Sequence, residues 1–251
     1  MAVQRDSQPS RDVASQTGRA FIGIRELVLR GEFARGERIS ELRLVARLGM
    51  SRTPIRLALE RLAHIGLLDV VPTGGFAVRE FTLVEVLDAI ELRGVLEGTA
   101  ARLAAERLAS RGDVDGLRHL CTKMEALQRL TIESFAEYMD LNEAFHSGVA
   151  ELSKSAMLQR SLEQVTSLPF ASPSAMVFPT SILPKSDETL ATAFVHHRGI
   201  VEAIGRRQGT RAESLAREHA YAARGVLELA VSDTEALRGV PGGPLINVSL
   251  H

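Results

Sequence analysis

At 251 residues, 45% of them apolar, the chain is long enough for two domains with buried cores, which excludes a disordered or fibrous class. Its single cysteine, Cys121, excludes an internal disulfide, and the lack of an apolar run of about 20 residues excludes a membrane-spanning helix, so we expect a cytoplasmic protein. The net charge of −1 hides an asymmetry: residues 1–80 carry 13 arginines and nine acidic residues, whereas residues 81–251 carry 17 basic and 22 acidic ones. A polyanion is therefore expected to bind the first part.

The first 80 residues have the pattern of a winged helix-turn-helix. Residues 1–18 are polar, lack the apolar centre of a signal peptide, and are expected to form a flexible tail. The spacing of apolar residues predicts helices over 19–30, 40–48 and 51–66, and the last two are joined through Gly49. Two β-prone runs, 67–71 and 76–78, flank a glycine pair, which is typical of a hairpin. We therefore predict a DNA-binding domain over residues 19–80, with the hairpin as its wing.

Beyond Phe81 the sequence shows helical patterns only. They predict an antiparallel all-α bundle over residues 83–231. The predicted helices cover roughly 83–110, 113–130, 132–153, 156–167, 187–207 and 210–231. Four prolines interrupt this pattern between residues 168 and 185, where we expect a long connection that can act as a lid over a cavity. Residues 232–251 include a Gly- and Pro-rich stretch and are expected to be a loosely ordered tail. The predicted fold class is thus mainly α, a winged helix-turn-helix followed by a helical bundle.

The third predicted helix carries the residues best suited to read DNA. Its first turns place four polar residues opposite its apolar face, at the positions that enter a major groove in helix-turn-helix proteins. These residues are Ser51, Arg52, Thr53 and Arg56. Arginines four residues apart project from one side of a helix and can reach guanine edges or phosphates. Arg38, Arg43 and Arg47 are expected to meet the DNA backbone. Exposed arginines also occur on ordinary solvated helices, but this arrangement ahead of a glycine hairpin favours DNA binding.

Four potential metal ligands are spread over the helical part of the chain. They are Asn142, His146, His197 and His219. Asn142 and His146 are four residues apart and so share a helix face, and three imidazoles converging from separate helices would favour zinc or a similar transition metal. Each histidine alone could instead be a surface or hydrogen-bonded residue, because spacing does not show convergence. His196 points about 100° away from His197 on a helix and is expected outside the set.

Residues 39–60 resemble the winged helix of the GntR-type regulators. The segment 49–56 reads GMSRTPIR, and Leu62, Gly66 and Leu67 follow at the family's positions. The resemblance implies a homodimer on a short palindromic operator. The residues it implies as operator contacts are Ser51, Arg52, Thr53, Arg56 and the wing glycine Gly74. Leu42 stands where some members have a DNA-contacting arginine, so it is not among these contacts.

Residues 83–231 resemble the FadR-type ligand-binding domain of the FCD class. The segments that carry the resemblance are ELRGVLE at 91–97, NEAFH at 142–146, HRGIVEAI at 197–204 and residues 212–219. The resemblance implies that Asn142, His146, His197 and His219 hold a divalent transition metal, zinc first, with nickel and manganese as alternatives. It also implies that a small carboxylate effector binds at the metal's open positions.

Two further features bear on the effector. Arg93 is a candidate effector-binding residue, although Glu97 lies four residues on and the two also fit a plain helix ion pair. The run Leu168–Ala171, together with residues 91–101, resembles the vanillate-responsive branch of the class. That likeness implies an aromatic acid as effector.

The combined pattern predicts a ligand-responsive transcription regulator without catalytic residues. We expect a repressor that leaves its operator when the effector binds the helical domain. A metal-dependent hydrolase would use the same histidines to activate water, but no HExxH-like motif supplies a general base. A DNA-binding structural protein would use the metal only to stabilise the bundle. The three hypotheses predict different results. The regulator predicts ligand-dependent operator affinity, the hydrolase predicts substrate turnover, and the structural protein predicts neither.

Overall fold

The computed structural model describes residues 8–127, 130–175, 186–232, 237–238 and 242–248. The chain divides into two compact units, one of Met1–Thr82 with Pro241–His251 and the other of Leu83–Val240. The expected fold class is confirmed, since the first unit contains a winged helix-turn-helix with a small sheet and the second is a helical bundle. None of the described helices combines the length and apolar character that a membrane crossing requires.

The first unit follows the order expected for a winged helix. Its elements are α1 (Gln8–Leu29), β1 (Arg38–Ile39), α2 (Glu41–Leu48), α3 (Arg52–His64), β2 (Leu68–Val70), β3 (Phe76–Val78) and β4 (Phe81–Thr82). Ser40 caps α2 by accepting a hydrogen bond from the Arg43 amide, and Gly49 ends α2 in the left-handed conformation at φ 64°. Leu44, Ile55 and Leu59 are fully buried between the helices. The turn between α2 and α3 is therefore set by a local cap and a shared core.

Two details of this unit differ from the sequence expectation. Helix α1 begins at Gln8, so much of the expected tail over residues 1–18 is helical. Strand β1 was not expected, because two residues are too few to show an alternating pattern. It pairs antiparallel with β3, with Arg38 opposite Ala77, and completes a sheet of order β1-β3-β2.

The segment 242–248 belongs to the first unit and is not a loose tail. Residues Gly243–Leu245 form a 3-10 helix, and β5 (Ile246–Asn247) pairs in parallel with β4. Leu245 is 0% exposed and Ile246 is 4% exposed. The guanidinium of Arg35 donates to the Ile246 carbonyl at 3.1 Å. The expectation of a loosely ordered segment is therefore wrong for these residues. Their two apolar side chains are buried against the folded first unit, and this packing cannot be read from the local sequence.

The buried position of Leu245 leads to a stability prediction. Leu245→Ala should lower the free energy of unfolding of the first unit by about 2–5 kcal/mol, because it removes a fully buried side chain and leaves a cavity. Val248 lies three residues further on, is 37% exposed and supplies the control. Val248→Ala should change the free energy of unfolding by no more than about 0.5 kcal/mol. Urea unfolding followed by circular dichroism measures both. Equal stabilities for the two variants would contradict the docking of this segment.

Six α-helices form the described part of the second unit. They are α4 (Leu83–Arg107), α5 (Asp115–Ala126), α6 (Ile132–Leu152), α7 (Ala156–Thr166), α8 (Ser186–Gly205) and α9 (Gly209–Ser232). All six were expected from the sequence. Helices α4 and α9 pack closely at Gly98, where an added Cβ would lie 2.6 Å from the Arg217 Cγ atom and 3.1 Å from the Glu213 carbonyl. This close approach brings the side chains of α4 and α9 into one site.

The proline-rich connection is described only in its first part. Pro169–Ala171 form a 3-10 helix, and Phe170, Ala171 and Ser174 are buried in the second unit. Residues 176–185, on which the lid expectation mainly depends, lie outside the described residues. The described part is thus a packed wall of the bundle.

Candidate nucleic-acid interface and metal centre

Helix α3 presents its polar residues on an open face. Its buried face consists of Pro54, Ile55, Ala58, Leu59 and Leu62. Ser51, Arg52, Thr53 and Arg56 are all exposed on its first turns. Ser51 is the N-cap residue, yet its hydroxyl makes no capping hydrogen bond and stays available for another partner. The first turn therefore offers a hydroxyl, unbonded amides and cationic side chains to an anionic ligand.

The two arginines of α3 differ in their neighbours. Arg56 lies 3.6 Å from Glu60 in an exposed i,i+4 ion pair. Arg52 makes no hydrogen bond or ion pair with any residue that the structure describes. A guanidinium without an internal partner needs no rearrangement before it binds a base edge or phosphate.

The arginines on α2 are exposed but paired. Arg43 contacts Glu37 at 3.3 Å, and Arg47 contacts Glu32 at 2.9 Å. Both glutamates come from the loop between α1 and β1. Such surface pairs contribute little stability, so these arginines can exchange a carboxylate for a phosphate at small cost.

The expected wing is present. The Val71 amide donates to the Gly75 carbonyl at 3.0 Å at the hairpin tip, where Gly74 has a φ of 92° that favours glycine. The Arg38 guanidinium donates to the Gly74 carbonyl. Arg38 and Gly74, 36 residues apart in sequence, therefore lie together at the exposed tip.

The three expected histidines converge in the second unit. His146 lies on α6, His197 on α8 and His219 on α9. The Nε2 atoms of His197 and His219 are 3.1 Å apart, and those of His219 and His146 are 3.3 Å apart. Two nitrogens bound to one tetrahedral zinc ion would be about 3.4 Å apart, given Zn–N bonds of about 2.0–2.1 Å. The cluster can therefore hold a metal ion, with all three Nε2 atoms as donors.

Asn142 supplies an oxygen of the kind that a metal site requires. It is 1% exposed, and its amide nitrogen donates to the Ser174 hydroxyl at 2.8 Å. Its Oδ1 atom is buried without a hydrogen-bond partner among the described residues. A buried carbonyl oxygen without a partner is costly, which is consistent with a role as the fourth ligand, one helical turn from His146 on α6. Residue Ser174, which orients this amide, could not be identified from sequence spacing.

Glu97 is a second residue whose role the sequence did not reveal. Its carboxylate accepts a hydrogen bond of 3.1 Å from the Nδ1 atom of His146. A carboxylate on the far nitrogen fixes the imidazole tautomer and leaves Nε2 unprotonated for a metal. The sequence indicates Glu97 only as an ion-pair partner of Arg93, because no spacing signal links Glu97 to His146, which lies 49 positions further along the chain.

Burial keeps His197 and His219 in the protonation state that binds metal. It lowers the pKa of His197 and of His219 well below the usual value, and the neighbouring imidazoles lower both further. Burial alone would raise the pKa of Glu97, but the charges of His146 and Arg93 outweigh it and lower that pKa to about 2. His197 and His219 are therefore neutral at pH 7 beside an ionised Glu97, with nitrogen lone pairs free to bind a cation.

Arg93 and His196 lie outside this donor set. Arg93 is 2% exposed, and its guanidinium donates to the Ser172 carbonyl at 2.6 Å and approaches Glu97 at 3.8 Å. It is thus held by groups of the protein itself. The His196 ring meets the His219 ring edge-on at 5.9 Å between centroids, but its nitrogens do not join the cluster.

A cavity of about 200 Å³ adjoins the cluster. His146 and Glu97 form part of its wall, and Pro173 of the proline-rich connection lies at its side. The remaining lining residues come from α6 and α7: Glu143, Ser147, Ala150, Glu151, Gln159, Leu162, Glu163 and Thr166. A small molecule in this cavity would lie next to a metal ligand.

The first unit is thus a winged helix-turn-helix, and the second is a helical bundle with a histidine cluster. Residues 17–78 match the family described as bacterial regulatory proteins, gntR family, and residues 88–231 match the FCD domain. The chain belongs to the GntR family and carries an FCD domain. This is a family of DNA-binding transcriptional regulators, and the expectation that the chain is not an enzyme is confirmed.

Individual relatives agree with this membership. The chain is 34% identical to the Nta operon transcriptional regulator of Aminobacter aminovorans over 134 residues, 53% of this chain and 62% of that protein. It is 30% identical to the "Probable D-xylose utilization operon transcriptional repressor" of Paenarthrobacter nicotinovorans over 202 residues, 76% and 78% of the two chains. The match thus spans less than two thirds of the first of these relatives.

A solved structure shares the fold. The structure of E. coli McbR/YncC aligns with a TM-score of 0.63 at 21% identity, covering 86% of this chain and 98% of that one. At this identity the likeness concerns the fold alone.

Proposed function

We propose that the protein is a ligand-responsive transcription regulator that binds operator DNA through α3 and senses a small carboxylate at a metal in its second unit. In this proposal it is a cytoplasmic homodimer and a repressor that releases DNA when the effector binds. The observation that carries the proposal is the convergence of three Nε2 atoms, 3.1 and 3.3 Å apart, beside a cavity in a chain that also has a winged helix-turn-helix.

On the DNA side, α3 would enter the major groove. Its exposed residues Ser51, Arg52, Thr53 and Arg56 would contact bases and adjacent phosphates. The backbone would be met by Arg43 and Arg47 from α2 and by Arg38 and Gly74 from the wing. The formal charge of the first 80 residues, with four more basic than acidic side chains, favours this partner.

On the ligand side, His146, His197, His219 and Asn142 would hold a divalent transition metal. Zinc suits three neutral imidazoles and one oxygen, and nickel and manganese are the alternatives. The bound metal would supply a positive charge that holds a carboxylate. Glu97 would fix the imidazole tautomer of His146, and Ser174 would orient the side-chain amide of Asn142. The likeness of residues 168–171 and 91–101 to the vanillate-responsive branch makes an aromatic acid the first effector to test. Arg93 would be the first cationic side chain to test for binding this effector.

The connections of the chain support coupling between the two units. Helix α4, which carries Glu97, begins directly after β4, so that residues 82 and 83 are neighbours in sequence. Beyond α9, which carries His219, the chain returns to the first unit and forms β5 beside β4. A shift of either helix on ligand binding would therefore act through the chain on the same pair of strands.

The test is a measurement of operator affinity with and without candidate acids. Fluorescence anisotropy with zinc-loaded protein and a promoter fragment should show about 5- to 150-fold weaker binding when vanillate, benzoate or a short aliphatic acid saturates the site. Random DNA of equal length is the control. If no acid alters operator affinity while metal removal only lowers the melting temperature, the metal is structural and the sensing function is wrong.

A further inference from the structure

The polar lining of the cavity next to the histidine cluster is acidic and rich in hydrogen-bond acceptors. Four of its residues are glutamates, and no lysine or arginine lines it among the residues that the structure describes. Three of these glutamates, Glu143, Glu151 and Glu163, are exposed. Their carboxylates have no hydrogen-bond or ion-pair partner within the described part of the chain. They are therefore free to accept bonds from a ligand.

Other polar side chains of the lining have already used donor hydrogens. The Thr166 hydroxyl donates to the Leu162 carbonyl at 2.8 Å. The Gln159 amide uses one hydrogen on the Ala150 carbonyl at 3.2 Å. Their oxygens remain able to accept. The walls thus offer acceptors in excess, which suits a ligand with several N–H donors and a positive charge.

A carboxylate that carries no cationic group has no cationic side chain to bind in this lining, among the described residues, and would depend on the metal alone. Beside three unpaired glutamates it would be repelled everywhere except at the metal end of the cavity. Arg93, which lies 3.8 Å from Glu97 of the lining, is committed to the Ser172 carbonyl and Glu97. The cavity of about 200 Å³ is smaller than the pockets of about 300–1,000 Å³ that bind drug-sized ligands, which favours a small effector.

We propose that the effector is a small zwitterion, whose carboxylate faces the metal and whose ammonium group is bound by Glu143, Glu151 and Glu163. This inference rests on the proposed function, because it requires the metal-bound carboxylate. It adds the chemical class of the other end of the molecule. A cation at that end offsets part of the negative charge of the glutamates and donates hydrogen bonds to their oxygens.

The test compares acids that differ only in an ammonium group. The probes are 4-aminobutyrate against butyrate, and 4-(aminomethyl)benzoate against 4-methylbenzoate, titrated into the zinc-loaded full chain by isothermal calorimetry. For at least one pair we expect the ammonium-bearing acid to bind about tenfold more tightly, in line with a charge-assisted hydrogen bond. The preference should fall to less than about threefold in E143Q/E151Q, which keeps side-chain size and removes two charges.

A matched variant separates local contact from general charge. E137Q/D140N also removes two negative charges from exposed positions on α6, but from residues that do not line the cavity. It should keep the full preference. A preference that is lost in both variants, or in neither, overturns the assignment of the ammonium group to these glutamates.

The remaining outcomes distinguish this inference from the proposed function. If the acids without an ammonium group bind equally well or better and still weaken operator binding, the regulator stands and the zwitterion is wrong. If no probe binds while zinc and operator binding persist, both the carboxylate effector and the zwitterion fail.

Discussion

His219→Ala should abolish metal binding by the second unit. His219 provides the Nε2 atom that lies 3.1 Å from that of His197 and 3.3 Å from that of His146, so it is the central member of the cluster. We expect the affinity for Zn²⁺ to fall by more than about 100-fold, since loss of even an outer partner costs about 10–100-fold. Native mass spectrometry and competition with a chromophoric chelator measure this loss. The response to carboxylates should disappear with the metal.

Two further variants control for this result. His196→Ala removes the adjacent histidine that lies outside the donor set and should retain the metal. His219→Gln keeps a similar side-chain volume without an imidazole and should lose the metal as His219→Ala does, which separates ligation from packing. Operator affinity without ligand should survive in all three, because α3 lies in the other unit. Normal zinc content in His219→Ala would refute the site.

Arg52→Ala should produce the largest loss of operator recognition among single substitutions in the first unit. Arg52 is exposed in the first turn of α3 and makes no hydrogen bond or ion pair with a described residue, so all of its donors are available to a base. Removing one bidentate arginine–guanine contact costs about 1–3 kcal/mol. Anisotropy titrations with the operator and with a scrambled duplex should show a smaller ratio between the two affinities.

Arg30→Ala provides the matched control for charge. Arg30 belongs to the same unit, follows α1 in the chain and forms an exposed ion pair with Glu26 at 3.5 Å. Its removal lowers the charge equally and should leave the operator-to-scrambled ratio unchanged. Equal effects of the two substitutions would indicate that Arg52 contributes only to the general field, and the docking of α3 in the groove would then be wrong.

The helices and the wing could be read from local patterns. Apolar spacing predicted the six helices of the second unit, and the cap at Ser40, the glycine at position 49 and the hairpin glycines marked the turns of the first. Such signals lie within a few residues of each other, so the physics that creates them is local. The exceptions are β1, β4 and β5, two-residue strands whose partners lie far along the chain.

In the candidate site, too, local sequence signals indicated some residues, whereas other contacts depend on how the helices pack. The one-turn spacing of Asn142 and His146 placed both residues on one face of a helix. His197 and His219 were potential ligands on separate predicted helices, and likeness to a family supported the whole set. The hydrogen bonds from His146 to Glu97 and from Asn142 to Ser174 form only where α4, α6 and the 3-10 segment pack together. Neither pair has a characteristic spacing, because a contact between elements depends on how their surfaces fit.

The sequence by itself determined the type and order of the elements, the reading face of α3 and the list of potential ligands, since each depends on periodicity and residue chemistry. The tertiary structure decided that three imidazole nitrogens meet and that unpaired glutamates line the adjacent cavity. It also decided that Leu245 and Ile246 dock beside β4. These features depend on distances between residues far apart in the chain, which are set by close packing of the core and not by any local preference.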